Sequence, residues 1–274
     1  MKKSAGLFIL VFLSSCFIWG QDKKPAFNQE MNDEGMEYRV LLWSKTSWYR
    51  HPQIPELNGW LTRFLGKHKI QVDIGEDGKD FKFENLVKYH AVILSSTTDI
   101  GKSLNDKQKA DFIKWFENGG SLIGLHAALV HHNYWEWYTN LVGCDFDSDS
   151  LHTPSTLIVD PKAEGHPAVA GKKGTFKYTA EWLNYTKSVT GLSGVKVLLR
   201  VDEKSYDPVR PFFKERGGKP MGKDHPVSWT REFKKGRFFY TAIGHDKRSS
   251  NTEFGRKHIL GGILWAIGDK KKSK

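Results

Sequence analysis

Short apolar runs alternate with helix-length amphipathic segments through the first half of this chain, and that alternation constrains its fold more than any other feature. Arg39-Val40-Leu41-Leu42-Trp43 is a near-continuous apolar run, of the kind that parallel sheets bury on both faces. A helix follows, with Leu57, Trp60, Leu61, Phe64 and Leu65 at helical spacing and Gly66 as its stop. Ile70-Gln71-Val72-Asp73-Ile74 then alternates as a second strand should, and Ala91-Val92-Ile93-Leu94-Ser95 is the third. The next helix takes its cap from Ser103 or Asn105, shows an apolar stripe of Ala110, Ile113, Trp115 and Phe116, and ends at Asn118-Gly119-Gly120. Ser121-Leu122-Ile123-Gly124-Leu125 is the fourth strand. Strands and helices at these intervals imply right-handed βαβ units and a parallel sheet. Beyond residue 145 the order loosens, with further strands at Thr156–Val159, Val195–Val201, Val227–Thr230 and Gly236–Ile243, and a closing helix from about Glu253 to Ile267. One α/β domain is the reading.

The N-terminus reads as a targeting segment. Met1-Lys2-Lys3 precedes the apolar run Leu7–Leu13, and small residues follow. A positive stretch, an apolar run of about 7–15 residues and a small-residue exit make a secretory signal. The run is too short for a spanning helix, which needs roughly 20 apolar residues. Cleavage after Gly20 gives a signal peptide at 1–20 and a polar linker at 21–37. Leu13-Ser14-Ser15-Cys16 also resembles a lipobox, in which Cys16 would be lipidated, but apolar Phe17-Ile18-Trp19 fits simple secretion better. The expectation is an exported, periplasmic or extracellular protein. After processing Cys144 is left without a disulfide partner, so about 230 residues must stand on their core.

Lys and Arg number 42 against 31 Asp and Glu. Six of the lysines are peripheral, two in the signal and four in the 269–274 tail, and removing them lowers the net charge from +11 to +5. The remaining excess is scattered, without a basic stripe or a nucleic-acid motif, which argues against a nucleic-acid partner. Ten Trp residues, several beside His or Asp, would suit stacking on sugar rings, although most of them are expected in the core.

Ligands of an open parallel sheet sit at the carboxyl ends of its strands. Three strands here end in histidine-bearing segments: the first before His51, the fourth at His126, and the last at Gly244-His245-Asp246. A single histidine at a strand end is more often structural than catalytic; three converging on one edge reverse that expectation. His126, between Gly124 and Ala127-Ala128, has the surroundings of a nucleophile elbow, a tight turn that exposes one side chain. Imidazole at that position serves as general acid or base, electrophile or metal ligand.

Several segments together resemble one family. They are Tyr49-Arg50-His51, Gly119 through Ala128, Leu141-Val142-Gly143, Asp202 through Tyr206, His225-Pro226-Val227-Ser228-Trp229, and Gly236 through His245. In these, and in their order over about residues 38–268, the chain resembles the trehalose-utilisation (ThuA-like) domain family. The resemblance implies a class I glutamine-amidotransferase-like fold, a flavodoxin-like three-layer sandwich with a mostly parallel sheet. In that superfamily the elbow carries Cys and a later strand supplies a His. Here His126 fills the elbow and His245 resembles the partner position. Glutamine hydrolysis needs a thiolate, so amidotransferase activity is not expected, and Cys144 reads as a buried small hydrophobe.

Glu181-Trp182 and Asp202-Glu203 match family segments, with Ala180 where an Asp is usual. Either glutamate would orient a histidine, act as acid or base, or simply form a salt bridge. His166-Pro167 reads as a turn, and His131-His132 as candidates to line the cleft. No His-x-x-His or His-x-x-x-His pair sits on a helix, so the expectation is no metal and no other cofactor, although His51, His126, His225 and His245 would supply nitrogens if they converged. The family association implies a small-molecule carbohydrate partner. The expected function is an enzyme on a sugar or keto-sugar, by hydrolysis, elimination or isomerisation. His126 and His245 would transfer protons, Glu181 and Glu203 would assist, and Trp48, Tyr49, His51, His152, His225 and Trp229 would shape the substrate site. The alternative is a non-catalytic carbohydrate-binding protein that kept the cleft.

Overall fold

The first four apolar runs become neighbouring strands: Tyr38–Trp43 (β1), Ile70–Gly75 (β2), Ala91–Ser95 (β3) and Ser121–Leu125 (β4). A computed structural model describes residues 35–268, which form one compact unit. The signal segment, all but the end of the linker, and the tail after residue 268 lie outside the described residues. Seven more strands follow: Phe146–Asp149 (β5), Thr153–Val159 (β6), Thr175–Ala180 (β7), Leu183–Tyr185 (β8), Val195–Asp202 (β9), Pro226–Phe233 (β10) and Gly236–Thr241 (β11).

Nine of these strands make one sheet in the order β2-β1-β3-β4-β11-β10-β9-β6-β7. The run from β2 to β11 is parallel throughout, and the sheet continues antiparallel from β10 to β7. The architecture is α/β and flavodoxin-like, as the sequence implied. Strands β5, β7 and β8 are additional to those expected from the sequence; β5 and β8 form a separate two-stranded ladder.

Helix Ile54–Gly66 (α1) buries the expected Leu57, Trp60, Leu61 and Leu65. In Asp106–Glu117 (α2) Trp115 and Phe116 are buried as expected, but Phe112 is the third core residue and Ala110 is exposed. Glu136–Val142 (α3) precedes β5, and Glu253–Ile267 (α4) is the expected closing helix. Of the two candidates to cap α2, Asn105 does so, its side chain accepting from Gln108 N. The aromatic run of β11 shows how both faces are covered. A Cβ on Gly236 would strike the Phe116 ring of α2, whereas Phe239, of opposite parity in the strand, packs under α4 at Gly262. A Cβ on Gly262 would lie only 2.1 Å from the Phe239 ring, so glycine at this point lets α4 rest directly on the sheet. Trp43, Phe238, Phe239 and Tyr240 are fully buried between the layers.

One buried polar group ties α4 down. His258 is inaccessible, with Nδ1 2.5 Å from the Ala168 carbonyl and Nε2 2.9 Å from Thr241 Oγ1. Burial lowers its pKa to about 4, so the fold holds it neutral. Between about 6.5 and 4 the unfolded chain therefore binds the extra proton. Its contribution is fully present above pH 6.5 and is lost as pH falls towards 4, on the order of 3 kcal/mol. Urea titrations at pH 7.5 and 5.0 are expected to show the midpoint fall with acid. His258→Leu, whatever its own stability, is expected to flatten that slope; an unchanged slope would mean other groups carry it.

Candidate active site

The chain turns sharply where β4 ends. His126 has φ +49°, a left-handed conformation that costs a non-glycine residue about 1–3 kcal/mol and persists only when neighbours impose it. The neighbours are visible. Tyr240 Oη donates to the His126 carbonyl at 2.9 Å, and Gly244, itself at φ +152°, leaves room beside Leu125 and His126 that a Cβ would take. The elbow inferred from Gly124 and Ala127-Ala128 is thus present, with an imidazole at its tip.

His126 is 1% exposed. Its Nδ1 lies 3.3 Å from the Ala242 carbonyl, which can only accept, so the ring proton belongs on Nδ1. Nε2 is buried, has no hydrogen-bond partner, and faces Glu181 Oε1 at 3.3 Å. The other carboxylate oxygen, Glu181 Oε2, is 3.6 Å from His245 Nε2. His51, delivered by the loop after β1, completes the group, its ring centroid 5.0 Å from that of His126 and 5.4 Å from that of His245. One ligand atom from each of His51, His126, Glu181 and His245 lies within 4.8 Å of the other three.

Burial, reinforced by the neighbouring imidazoles, lowers His51 to about 3 and His245 to about 4. Glu181 is pushed up by burial, but His126, His245 and His51 more than reverse this and hold its carboxyl at about 2. At neutral pH the ionised Glu181 therefore stands among unprotonated His51 and His245.

The cluster forms the floor of a cleft of about 480 Å³. Trp48, Tyr49 and Phe212 stand at its mouth, 53%, 54% and 51% exposed, and Phe146 and Phe213 line it further in. Asp149 and Arg210 line it too, Oδ1 and Nε 2.5 Å apart. Burial first, and the Glu181 charge next, push the Asp149 carboxyl up to about 7 against the pull of Arg210. The β5–β8 ladder brings Asp149 and Glu181 together: Ser150 N donates to the Trp182 carbonyl, and Trp182 N donates to Ser150 Oγ. Asp149, Arg210, Phe146, Phe212 and Phe213 were absent from the sequence expectations.

The structure therefore gathers His126, His245, Glu181, His51, Trp48 and Tyr49 into one cleft. It does not bring Glu203, His225 or Trp229 there. Glu203 accepts from Met221 N and Gly222 N and meets His225 Nδ1 at 2.8 Å, while His225 Nε2 lies 2.9 Å from the Leu183 carbonyl. With His225 fully buried, that pair cross-links the ends of β9 and β10. Trp229 is fully buried against Tyr240, ring centroids 4.4 Å apart. His152 sits at the edge, its ring centroid 6.5 Å from that of His245, and lines an adjoining cavity. His131 is buried with Nε2 at the Cys144 carbonyl, and His132 pairs with Asp99. Cys144 is buried and burial raises its thiol, so it offers no thiolate. His166 caps a one-turn helix as its turn-like sequence suggests, accepting from Ala168 N. No helix among the described residues is long and apolar enough to cross a membrane.

A family model described as trehalose utilisation, ThuA, matches residues 39–266. A crystal structure of a ThuA-like protein from Bacteroides uniformis superposes with a TM-score of 0.71 at 22% identity, covering 88% of this chain and 95% of that one. A ThuA-like protein from Parabacteroides merdae gives 0.63 at 18% identity, over 86% and 92%. A cytoplasmic protein of Salmonella typhimurium LT2 gives 0.58 at 12% identity, over 85% and 100%. No curated protein matches.

Proposed function

Because this chain belongs to the ThuA family of trehalose utilisation, we propose that it is a carbohydrate-active enzyme, acting on a sugar or keto-sugar by proton transfer in the His126 cleft. The single observation that carries this reading is the strained His126 elbow opening onto Glu181, His51 and His245 at the floor of an aromatic-walled cleft. Strain at a non-glycine residue concentrates at functional sites. Exposed aromatic rings such as Trp48, Tyr49 and Phe212 supply apolar faces for the C–H faces of a sugar ring. The cleft volume matches a small ligand. The N-terminal pattern of residues 1–20 supports export, so the sugar would be met outside the cytoplasm.

The two carboxyls divide the work. Glu181, ionised, orients the imidazole pair His126 and His245, and Asp149, its carboxyl pushed up to about 7, is the acid still partly protonated at neutrality. With Asp149 required in its protonated form, turnover is expected to fall as pH rises through about 7. Asp149→Asn is expected to lower kcat by roughly 10²–10⁴-fold and to abolish that alkaline limb. An unchanged pH profile in the variant would take Asp149 out of the role.

The reaction itself is tested by incubating the protein with a panel of disaccharides and their 3-keto derivatives and following products by mass. A product whose formation depends on His126 supports the proposal. Binding without product would favour the non-catalytic carbohydrate-binding alternative.

A further inference from the structure

We propose that His51, His126, Glu181 and His245 form a binding site for a single divalent transition-metal ion, zinc by preference. The inference rests on the reading of this cleft as the active site and deepens it by naming a resident cofactor.

Four observations carry it. The first is composition: three imidazoles and one carboxylate from four separate segments of chain, with one donor atom each inside a 4.8 Å span, make an N₃O donor set suited to zinc. The second is spacing. Zinc bonds of about 2.0–2.1 Å in tetrahedral geometry place ligand atoms about 3.3–3.4 Å apart. His126 Nε2 and Glu181 Oε1 are already 3.3 Å apart, and His245 Nε2 and Glu181 Oε2 3.6 Å.

The third is an unpartnered buried nitrogen. With Nδ1 directed to the Ala242 carbonyl, His126 turns Nε2 towards a carboxylate oxygen 3.3 Å away, yet Nε2 is buried without a hydrogen-bond partner. A cation between the two atoms would engage both. The carbonyl on the far ring nitrogen is also the usual second contact of a metal-bound histidine, fixing tautomer and ring direction. The fourth is redundancy of the same signal. His51 Nδ1 is likewise buried without a hydrogen-bond partner, its ring beside that of His126. Such groups cost free energy when left unpaired, and two in one cluster call for a common partner.

A metal there would polarise a carbonyl or hydroxyl oxygen of the substrate and acidify a bound water. His126 and His245 would then hold the ion in place of carrying protons, leaving Asp149 and the metal-bound water as the proton-transfer groups. No tetrahedral position is left over in a four-ligand set, so the water, and the substrate oxygen that replaces it, would enter as a fifth ligand or in place of one side chain.

The test uses the chain without a histidine tag, purified without chelator, with elemental analysis for metal content. About one zinc per chain is expected, falling at least tenfold in His126→Ala and in the milder Glu181→Gln. Stripped protein titrated with zinc chloride is expected to bind at one equivalent and to gain thermal stability, and cobalt chloride is expected to give the visible absorption of a nitrogen-ligated site. One-site binding by any of these routes that survives in both variants would place the metal elsewhere and overturn the proposal. So would the absence of stoichiometric metal together with no response to zinc, cobalt, manganese or nickel chloride. The enzyme reading fails separately: product from chelator-stripped protein overturns the metal and keeps the enzyme, whereas stoichiometric metal with no product from the sugar panel keeps the metal and overturns the enzyme.

Discussion

His126→Ala is expected to lower kcat/KM on the substrate by at least about a thousandfold while the protein stays folded. The size follows from position. His126 is the only member of the cluster on the elbow, and its Nε2 faces one oxygen of Glu181, the carboxylate around which the other imidazoles gather. Loss of a positioned acid–base group costs roughly 10²–10⁴-fold, and loss of a ligand from a metal centre costs no less. Stability of the metal-free protein should change little, for two opposing reasons. The substitution removes a buried ring, but that ring carries an unpartnered nitrogen, and deleting an unsatisfied polar atom returns part of the loss. The φ of +49° remains with alanine, so the strain of the turn is neither relieved nor increased. The measurement is kcat/KM beside a thermal melt. A variant within tenfold of wild type would remove the cluster from the chemistry. Glu203→Gln is the contrast: it loses charge-assisted acceptance from Met221 N, Gly222 N and His225, so its cost should fall on the melt and spare the chemistry.

That contrast also measures how far the sequence could be read. The parallel half of the sheet was legible because β1, β3 and β4 are buried on both faces and so are written as unbroken apolar runs. Their carboxyl ends must share an edge, which is why the convergence of His51, His126 and His245 is legible in the sequence. The lateral position of a strand along that edge was not legible. Neighbouring strands add about 4.8 Å each. Counting from β4 through β11 and β10 to β9, Glu203 starts about 14 Å away from His126. It reaches the correct edge of the sheet and pairs with His225 there instead.

Asp149 and Glu181 show the opposite case. Both depend on the β5–β8 ladder, whose strands are four and three residues long and whose β5 reads Phe-Asp-Ser-Asp. So short and polar a strand has no hydrophobic period to find. Glu181 was found through the family segment it shares with Trp182, not through any strand signal. Asp149 and Arg210 lay in stretches with neither, and only the folded ladder reveals that a carboxyl raised by burial stands beside the cluster.

Trp229→Ala is expected to destabilise the protein by about 3–5 kcal/mol, the cost of removing a large aromatic from a packed core. For a domain of this size that corresponds to a fall in Tm of roughly 6–20 °C. Tryptophan beside a motif histidine invites a sugar-stacking role, and the sequence alone admits it. Trp229 lies in the middle of β10 with no accessible surface, its ring against Tyr240 and near Tyr185. Its indole nitrogen makes no hydrogen bond, so what the residue contributes is volume. Trp229→Phe should therefore recover much of the lost stability. The effect also bears on the site, because Tyr240 both packs on Trp229 and donates to the His126 carbonyl that shapes the elbow. Trp48→Ala is expected to do the reverse. Half-exposed at the mouth of the cleft, Trp48 should leave the melt nearly unmoved and raise KM several-fold if it stacks on the sugar. Chemical denaturation and steady-state kinetics on the two variants separate the roles. A stable Trp229→Ala with raised KM would return that tryptophan to the binding site, and with it the view that β10 faces the substrate.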